Sequence, residues 1–248
     1  MKVLGIIPAR WASTRFPGKP LIKIGEKTMI QRVYEQTAKV LDNVVVATDD
    51  QRIIDEVKRF NGQVVITSDK HQSGTDRCAE ALEIYQKNVN ETFDIVVNIQ
   101  GDEPFIQPEQ IQQVVDCFDE NTQIATLIKK ITDEESLFNV NNPKVVLNNR
   151  SEALYFSRAT IPYVMKEKKE DWLKKYTYYE HLGLYGYKSS ILRELTNLKQ
   201  APLELSESLE QNRWLENGYK IKVAETEFEN ISIDTQEDLE NIIKKGLV

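Results

Sequence analysis

The charged residues of this chain that could do chemistry fall at turns following apolar runs. Ile95 to Ile99 is a β-branched run of strand length, and the turn Gly101-Asp102-Glu103-Pro104 ends it. A carboxylate just past a strand's carboxyl end stands where ligands collect in open α/β sheets, and its oxygens suit a hard cation. Taken alone, the same residues read as a turn in which Asp102 bonds its own backbone. Earlier in the chain, Pro8 ends the apolar run Lys2 to Ile7 and opens a loop through Pro20 that carries Arg10, Arg15 and Lys19. Long ordered loops are usually functional, and cations together with backbone N–H groups stabilise triphosphate charge. A solvated surface loop would carry the same cations. The loop is not a Walker A sequence, because Pro20 follows Gly18-Lys19 and no glycine precedes at the required spacing; a Gly-x-Gly-x-x-Gly fingerprint is also missing.

Three further segments carry weaker signals. Ser73-Gly74-Thr75-Asp76-Arg77 is the entrance to a helical pattern from about Asp76, where an ordinary N-cap would account for Thr75 and Asp76, while free N–H groups and Gly74 could also meet a base edge or a phosphate. Asp234 follows the apolar Ile231-Ser232-Ile233 and either caps the helix after it or supplies a second carboxylate. His181 begins an alternating run through Tyr187 that contains two glycines, and glycine inside a strand marks close approach of a ligand or another backbone. By itself His181 reads as a structural histidine.

The elements that would position these residues alternate. Strands are predicted at 2–7, 44–48, 63–67 and 94–99, with helices over Ile30 to Leu41, Ile53 to Phe60, Asp76 to Gln86 and Pro108 to Phe118. Thr28 to Gln31 resembles a capping box, and Asp49-Asp50 can cap the second helix. Alternation of this kind predicts right-handed crossovers and a mostly parallel sheet. The second half is less regular. Strands are expected at 124–131, 144–147, 181–187 and 219–224, with the segment 153–158 leading into Ile161-Pro162-Tyr163, one helix over Ser206 to Leu215, and another at 237–243 ending at Gly246; the charge run from Lys166 to Lys175 reads as a solvated, mobile loop.

Composition limits the possibilities. The chain has 248 residues, enough for one large domain with a core that needs no staple, and the formal net charge of -7 argues against general nucleic-acid binding. Cys78 and Cys117 have no CxxC neighbour, so neither a disulfide framework nor a zinc site is expected. No apolar stretch reaches membrane-spanning length and no cleavable leader is visible, which makes a cytoplasmic location the default.

Singly these signals are modest, but their order is specific. Pro-Ala-Arg-x-x-Ser-Thr-Arg-x-Pro-Gly-Lys-Pro-Leu at 8–21, Ser-Gly-Thr-Asp-Arg at 73–77 and Val-Asn-Ile-Gln-Gly-Asp-Glu-Pro at 97–104 occur with Phe-Ser-Arg-Ala at 156–159. His-Leu-Gly-Leu-Tyr-Gly-Tyr at 181–187, Glu-Ser-Leu-Glu-Gln at 207–211 and Ile-Asp-Thr-x-Glu-Asp-Leu at 233–239 complete the series. Across nearly its whole length the chain resembles the 3-deoxy-manno-octulosonate (Kdo) cytidylyltransferases. The resemblance implies a Rossmann-like α/β fold of the nucleotide-diphospho-sugar transferase type, with residues 1–120 and 200–248 mainly binding nucleotide and about 121–199 mainly binding sugar and forming a homodimer. It implies coupling of CTP to the anomeric hydroxyl of Kdo, giving CMP-Kdo and pyrophosphate for lipopolysaccharide synthesis. Arg10, Arg15 and Lys19 would lie on the triphosphate, Ser73, Gly74, Thr75 and Arg77 near the cytidine, and Gln100, Arg158, His181, Tyr185, Glu210 and Gln211 around the sugar. Asp102 and Asp234 would hold Mg2+, in one or two ions, with Lys19 opposing the charge of the departing pyrophosphate. Thr160 and Asn212 depart from the family pattern, where proline and leucine are more usual, which leaves fine substrate preference open. Rival readings are a sister activity on 8-amino-Kdo or sialic acid, and a non-catalytic sensor of CTP or a CMP-sugar.

Overall fold

The computed structural model describes residues 1–12, 16–229, 231–233 and 235–244. The chain forms two compact units, one of residues 1–112 and 230–248 and the other of residues 113–229.

The first unit is built on runs that are apolar on both faces. Strands β1 (Val3–Pro8), β4 (Val44–Thr48), β5 (Val64–Ile66) and β6 (Ile95–Asn98) pair in parallel in the order β6-β1-β4-β5, with Ile6 beside Asn98 and Pro8 beside Ala47. Every residue of β4 and β6 is buried, which is why both read as continuous apolar runs rather than alternating ones. A small hairpin, β2 (Lys23–Ile24) with β3 (Lys27–Thr28), precedes helix α1 (Met29–Thr37). Helices α2 (Gln51–Arg59) and α3 (Gly74–Val89) are the remaining crossovers, and α4 (Pro108–Asp116) begins with proline at its first position, where the missing N–H costs nothing. The parallel register brings the carboxyl ends of β1, β4 and β6 to one edge.

The second unit mixes directions. Strand β7 (Ile124–Lys130) and helix α5 (Glu134–Phe138) come first, then the β8 (Lys144–Leu147) and β9 (Ala153–Ser157) hairpin and helix α6 (Trp172–Lys175). Strand β10 (Tyr179–Lys188) runs antiparallel to β7 and β8; helices α7 (Ser189–Leu195), α8 (Pro202–Glu207) and α9 (Gln211–Glu216) lead to β11 (Ile221–Glu225), parallel to β7. Helix α10 (Gln236–Lys244) then belongs to the first unit, where Leu239 and Ile242 join Ile24, Met29 and Ile233 in a buried cluster against Phe16 and Phe105. Among the described residues no helix is long and apolar enough to cross a membrane.

Four expectations are corrected by the structure. The Thr28 hydroxyl does not cap α1; it donates instead to Glu56 at 3.0 Å, a buried partner on α2. The 166–175 run is not a loop throughout: Lys169–Asp171 is a 3-10 turn leading into α6, because Trp172 packs with Ile131, Leu137 and Tyr178. The single helix expected at 206–215 is two, broken where Ser208 takes a left-handed conformation at φ 52°. Gly186 answers to packing rather than to a ligand, since an added Cβ would stand 2.7 Å from both Phe118 and Val114 side-chain atoms. Gly186→Ala is therefore expected to cost on the order of 1 kcal/mol by overpacking, read as a lower urea midpoint with unchanged slope; an unshifted midpoint would refute this packing account.

Candidate functional site

At the carboxyl edge of β1 and β6, the first unit contains a cleft of about 260 Å³, lined by Arg10, Lys19, Ser73, Gly74, Arg77, Gln100 and Asp102, with Pro8, Ala9, Pro20, His71, Gln72 and Gly101 between them. Residues from three separate expected segments thus line one cleft. Gly101 is required here by close approach: an added Cβ would stand 2.8 Å from the Pro8 carbonyl oxygen. That contact lets the chain leaving β6 pass the end of β1 and turn Asp102 toward the cleft.

Lys19 meets Asp102 directly, with Nζ 2.7 Å from Oδ2. Gly18, at φ 72°, precedes a short 3-10 turn over Lys19–Leu21 that points Lys19 inward. Also lining the cleft, the Ser73 hydroxyl accepts from the Asp76 N–H at 3.1 Å, capping α3, and Gly74 offers open approach, its nearest neighbours to an added Cβ lying at 3.6 Å and beyond. Arg77 is buried, donating to the Thr67 hydroxyl at 2.6 Å and to Asp49 at 3.3 Å, so its fork is fixed before any ligand arrives. Thr75 is buried too and does not line the cleft. Arg10 is exposed on the rim. Arg15 and Asp234 lie outside the described residues, although Ile233 donates its N–H to the Asp102 carbonyl at 3.0 Å.

His71 is a lining residue that the sequence reading passed over. Its Nε2 lies 2.5 Å from Glu80, which also accepts from the Ser68 N–H. Burial alone would raise the Glu80 carboxyl; the bonds from His71 and Ser68 outweigh it and hold it below its usual value. The signal available in sequence was only that His71 stands two residues before the Ser73 cap.

Of the expected sugar-site residues, Gln100 sits in this cleft and the rest lie in the second unit. There the His181 and Tyr185 rings are 5.2 Å apart, and Tyr185 meets Trp214 edge-on at 5.1 Å. The Thr126 hydroxyl donates to the Leu184 carbonyl at 2.8 Å, so toward His181 Nε2, at 3.0 Å, it acts as acceptor. Assigned in this way, the imidazole carries its proton on Nε2 and leaves Nδ1 as an acceptor. Burial pushes His181 down to about 3, which keeps it neutral, and holds the Tyr185 phenol well above its usual value. The Tyr185 hydroxyl and the Gln211 amide nitrogen are buried with no hydrogen-bond partner among the described residues, an expense that a polar ligand would remove. Glu210 is ion-paired with Arg213 at 3.0 Å.

Arg158 is held apart by its own bonds. Its Nε donates to the Glu207 carbonyl at 2.7 Å, Nη1 to Val140 at 3.0 Å and Nη2 to Ser208 at 3.4 Å, while the Glu207 carboxylate accepts from the Arg158 N–H, Ser157 and Tyr155. Three of its five guanidinium N–H groups are engaged, and the other two have no partner among the described residues. Neither family departure disturbs a charged contact: the Asn212 amide pairs with the Phe156 backbone in both directions and Thr160 donates to the Leu137 carbonyl.

Among the described residues no group of three or more His, Cys, Asp or Glu side chains could hold a metal. The Asp102 carboxylate nevertheless fits one kind of ion. Magnesium is held by one or two carboxylates plus phosphate oxygens and water, and here the Lys19 ammonium already sits against the oxygen that a cation would use.

Known proteins share this arrangement of sequence and fold. A family model described as cytidylyltransferase matches residues 4–222. A 3-deoxy-manno-octulosonate cytidylyltransferase of Parabacteroides distasonis is 62% identical over 98% of this chain and 97% of its own length, and one of Bacteroides thetaiotaomicron is 60% identical over 97% and 96%. A solved CMP:2-keto-3-deoxy-manno-octonic acid synthetase, complexed with CTP, superposes with a TM-score of 0.90 at 36% identity, covering 100% of both chains. With its parallel-stranded α/β core and this extent of identity, the chain belongs to the 3-deoxy-manno-octulosonate cytidylyltransferase family.

Proposed function

We propose that the chain couples CTP to the anomeric hydroxyl of Kdo, giving CMP-Kdo and pyrophosphate, and so serves lipopolysaccharide synthesis. The observation that carries the reading is the cleft at the β1 and β6 ends, where Arg10, Lys19, Arg77 and the α3 amino terminus surround an anion-sized space beside Asp102. The sugar oxygen attacks the α-phosphorus, the bond from that phosphorus to the bridging oxygen breaks, and the hydroxyl proton leaves to solvent or base. Arg10, Arg15 and Lys19 bind the triphosphate, and Lys19 opposes the charge gathering on pyrophosphate. Ser73, Gly74 and Arg77 hold the cytidine, and the buried Thr75 takes part only as a member of their segment. Asp102 and Asp234 would hold magnesium, which when bound supplies Lewis-acid charge to phosphate and hydroxyl oxygens.

On the sugar side, Arg158 pairs with the carboxylate through its two remaining N–H groups, as a planar guanidinium suits. Tyr185 and the Gln211 amide donate to sugar hydroxyls, the neutral His181 accepts from one, and Gln100 and Glu210 complete the set. Arg158→Ala is expected to raise KM for Kdo about tenfold while moving KM for CTP less than about twofold, the loss of one charge-assisted pair. Equal increases in both constants would sink the carboxylate assignment.

The division of labour, with 1–120 and 200–248 mainly for nucleotide and about 121–199 mainly for sugar and dimer contact, belongs to the same reading. Val140, Leu154, Tyr163 and Met165 are exposed in the latter segment, but so are Ile66 and Leu205 outside it, and the homodimer rests on the family resemblance alone. A cytoplasmic location follows from the nucleotide substrate. The deciding assay is pyrophosphate release with CTP and magnesium, comparing Kdo, 8-amino-Kdo and sialic acid with and without chelator. Chelator-sensitive release with Kdo supports the proposal. Release only with another sugar moves the chain to a sister activity, and none with any sugar leaves the sensor.

A further inference from the structure

The loop that carries Lys19 is closed at its neck by a contact outside the cleft. The Gly18 N–H donates to the Trp11 carbonyl at 3.1 Å, so Trp11 and Gly18 pinch the loop shut immediately before Lys19. The indole lies against Gly18 closely enough that an added Cβ would be 2.7 Å from its ring, and Gly18 also needs its left-handed φ of 72°. Onto the same indole comes Arg52 of α2, its guanidinium carbon 3.4 Å from the ring centroid. Arg52 is in turn forked onto Asp50, Nε to Oδ1 at 2.9 Å and Nη2 to Oδ2 at 2.6 Å. Asp50 is the α2 N-cap, accepting from the Arg52 N–H, and the hydrogen bond from Arg52 holds its carboxyl below the usual range.

We infer that Asp50, Arg52 and Trp11 form a clasp that positions Lys19, and thereby sets the affinity of the loop for the triphosphate without touching it. The clasp ties the Trp11 and Gly18 neck to α2 and β4: Asp50 follows the end of β4, whose Ala47 carbonyl accepts from the Ala9 N–H at 2.9 Å, and α2 also packs against the 3-10 turn containing Lys19. A guanidinium suits this joint better than an ammonium, because it can stack on the indole and fork onto a carboxylate at once. None of the three residues lines the cleft, so each is a positioning residue rather than a catalytic one.

The inference rests on the triphosphate reading of the cleft, and inorganic tripolyphosphate tests it without base or sugar. In calorimetric titration, Trp11→Ala and Arg52→Ala are expected to bind tripolyphosphate about fivefold more weakly than wild type, as loss of one exposed cation–π contact dictates. Trp11→Tyr, which keeps an aromatic face, should stay within about twofold of wild type, and Arg52→Lys should fall with the alanine variants. In the coupled assay KM for CTP should rise in parallel and KM for Kdo should not. Unchanged affinity in both alanine variants overturns the clasp while leaving the proposed reaction standing, and so does an equal loss in Trp11→Tyr. A wild-type chain that binds no tripolyphosphate overturns both the cleft reading and the clasp, and is recognised because no variant is then needed to see it.

Discussion

Asp102→Asn should lower kcat by at least about a hundredfold, near 2.7 kcal/mol of barrier, with the fold intact. Asparagine keeps the size and one oxygen of aspartate but removes the charge that, in the proposed reaction, would hold a divalent cation. The structural cost should be small, because the ion pair with Lys19 is partly exposed and exposed pairs contribute little. The main-chain bond from Ile233 to the Asp102 carbonyl survives the change. The geometry also separates kcat from KM. Lys19 now spends its ammonium on Asp102, and in the variant that charge is released to phosphate, so KM for CTP should hold or fall while turnover collapses. A variant that keeps more than about a third of wild-type turnover would remove Asp102 from the chemistry, and a parallel rise in KM would make it a binding residue only. Circular dichroism and the urea midpoint, read on the same preparations, exclude unfolding as the cause.

How far such a site can be read from sequence depends on the range of the interactions that make it. Strands β4 and β6 were legible because burial on both faces writes itself as an unbroken apolar run. The Asp50 cap was legible because its partner lies two residues away; the α3 cap fell on Ser73 rather than on the expected Thr75 and Asp76. Thr28 misled for the opposite reason: its hydroxyl prefers Glu56, a partner 28 positions along the chain. Trp172 in a run of charges looked solvated, since Ile131, Leu137 and Tyr178, which bury it, are distant in sequence. The same limit hid the role of Gly186, made by Phe118 and Val114, and the three carbonyls that fix Arg158. Lys19 and Asp102 are 83 positions apart, and no local pattern announces that they touch. What the ordered segments did carry, through the family resemblance, was the set of residues to look for.

The largest pH effect expected on stability comes from His181. Its imidazole is neutral in the folded chain, pushed down to about 3 by burial from an ordinary value of 6.5. In the unfolded chain it takes up a proton as pH falls through 6.5, whereas the folded chain does not until near 3. Stability from this group is therefore complete above 6.5 and drains away as pH falls from 6.5 toward 3. At pH 5 the loss is about 2 kcal/mol, at roughly 1.4 kcal/mol per pH unit. His181→Gln, whose amide can still donate to Thr126, should flatten the profile by that amount between pH 7.5 and 5 in urea unfolding. The neighbouring Glu180 works the other way, because burial raises its carboxyl and its contribution weakens as pH rises; it stays in both chains and cancels in the difference. Parallel profiles for wild type and variant would show that His181 is protonated in the fold. In the proposed sugar site that outcome would also change the chemistry, since a charged imidazole would share the sugar carboxylate with Arg158, whereas a neutral one whose Nε2–H is spent on Thr126 would leave the anion to the guanidinium and offer Nδ1 only as an acceptor.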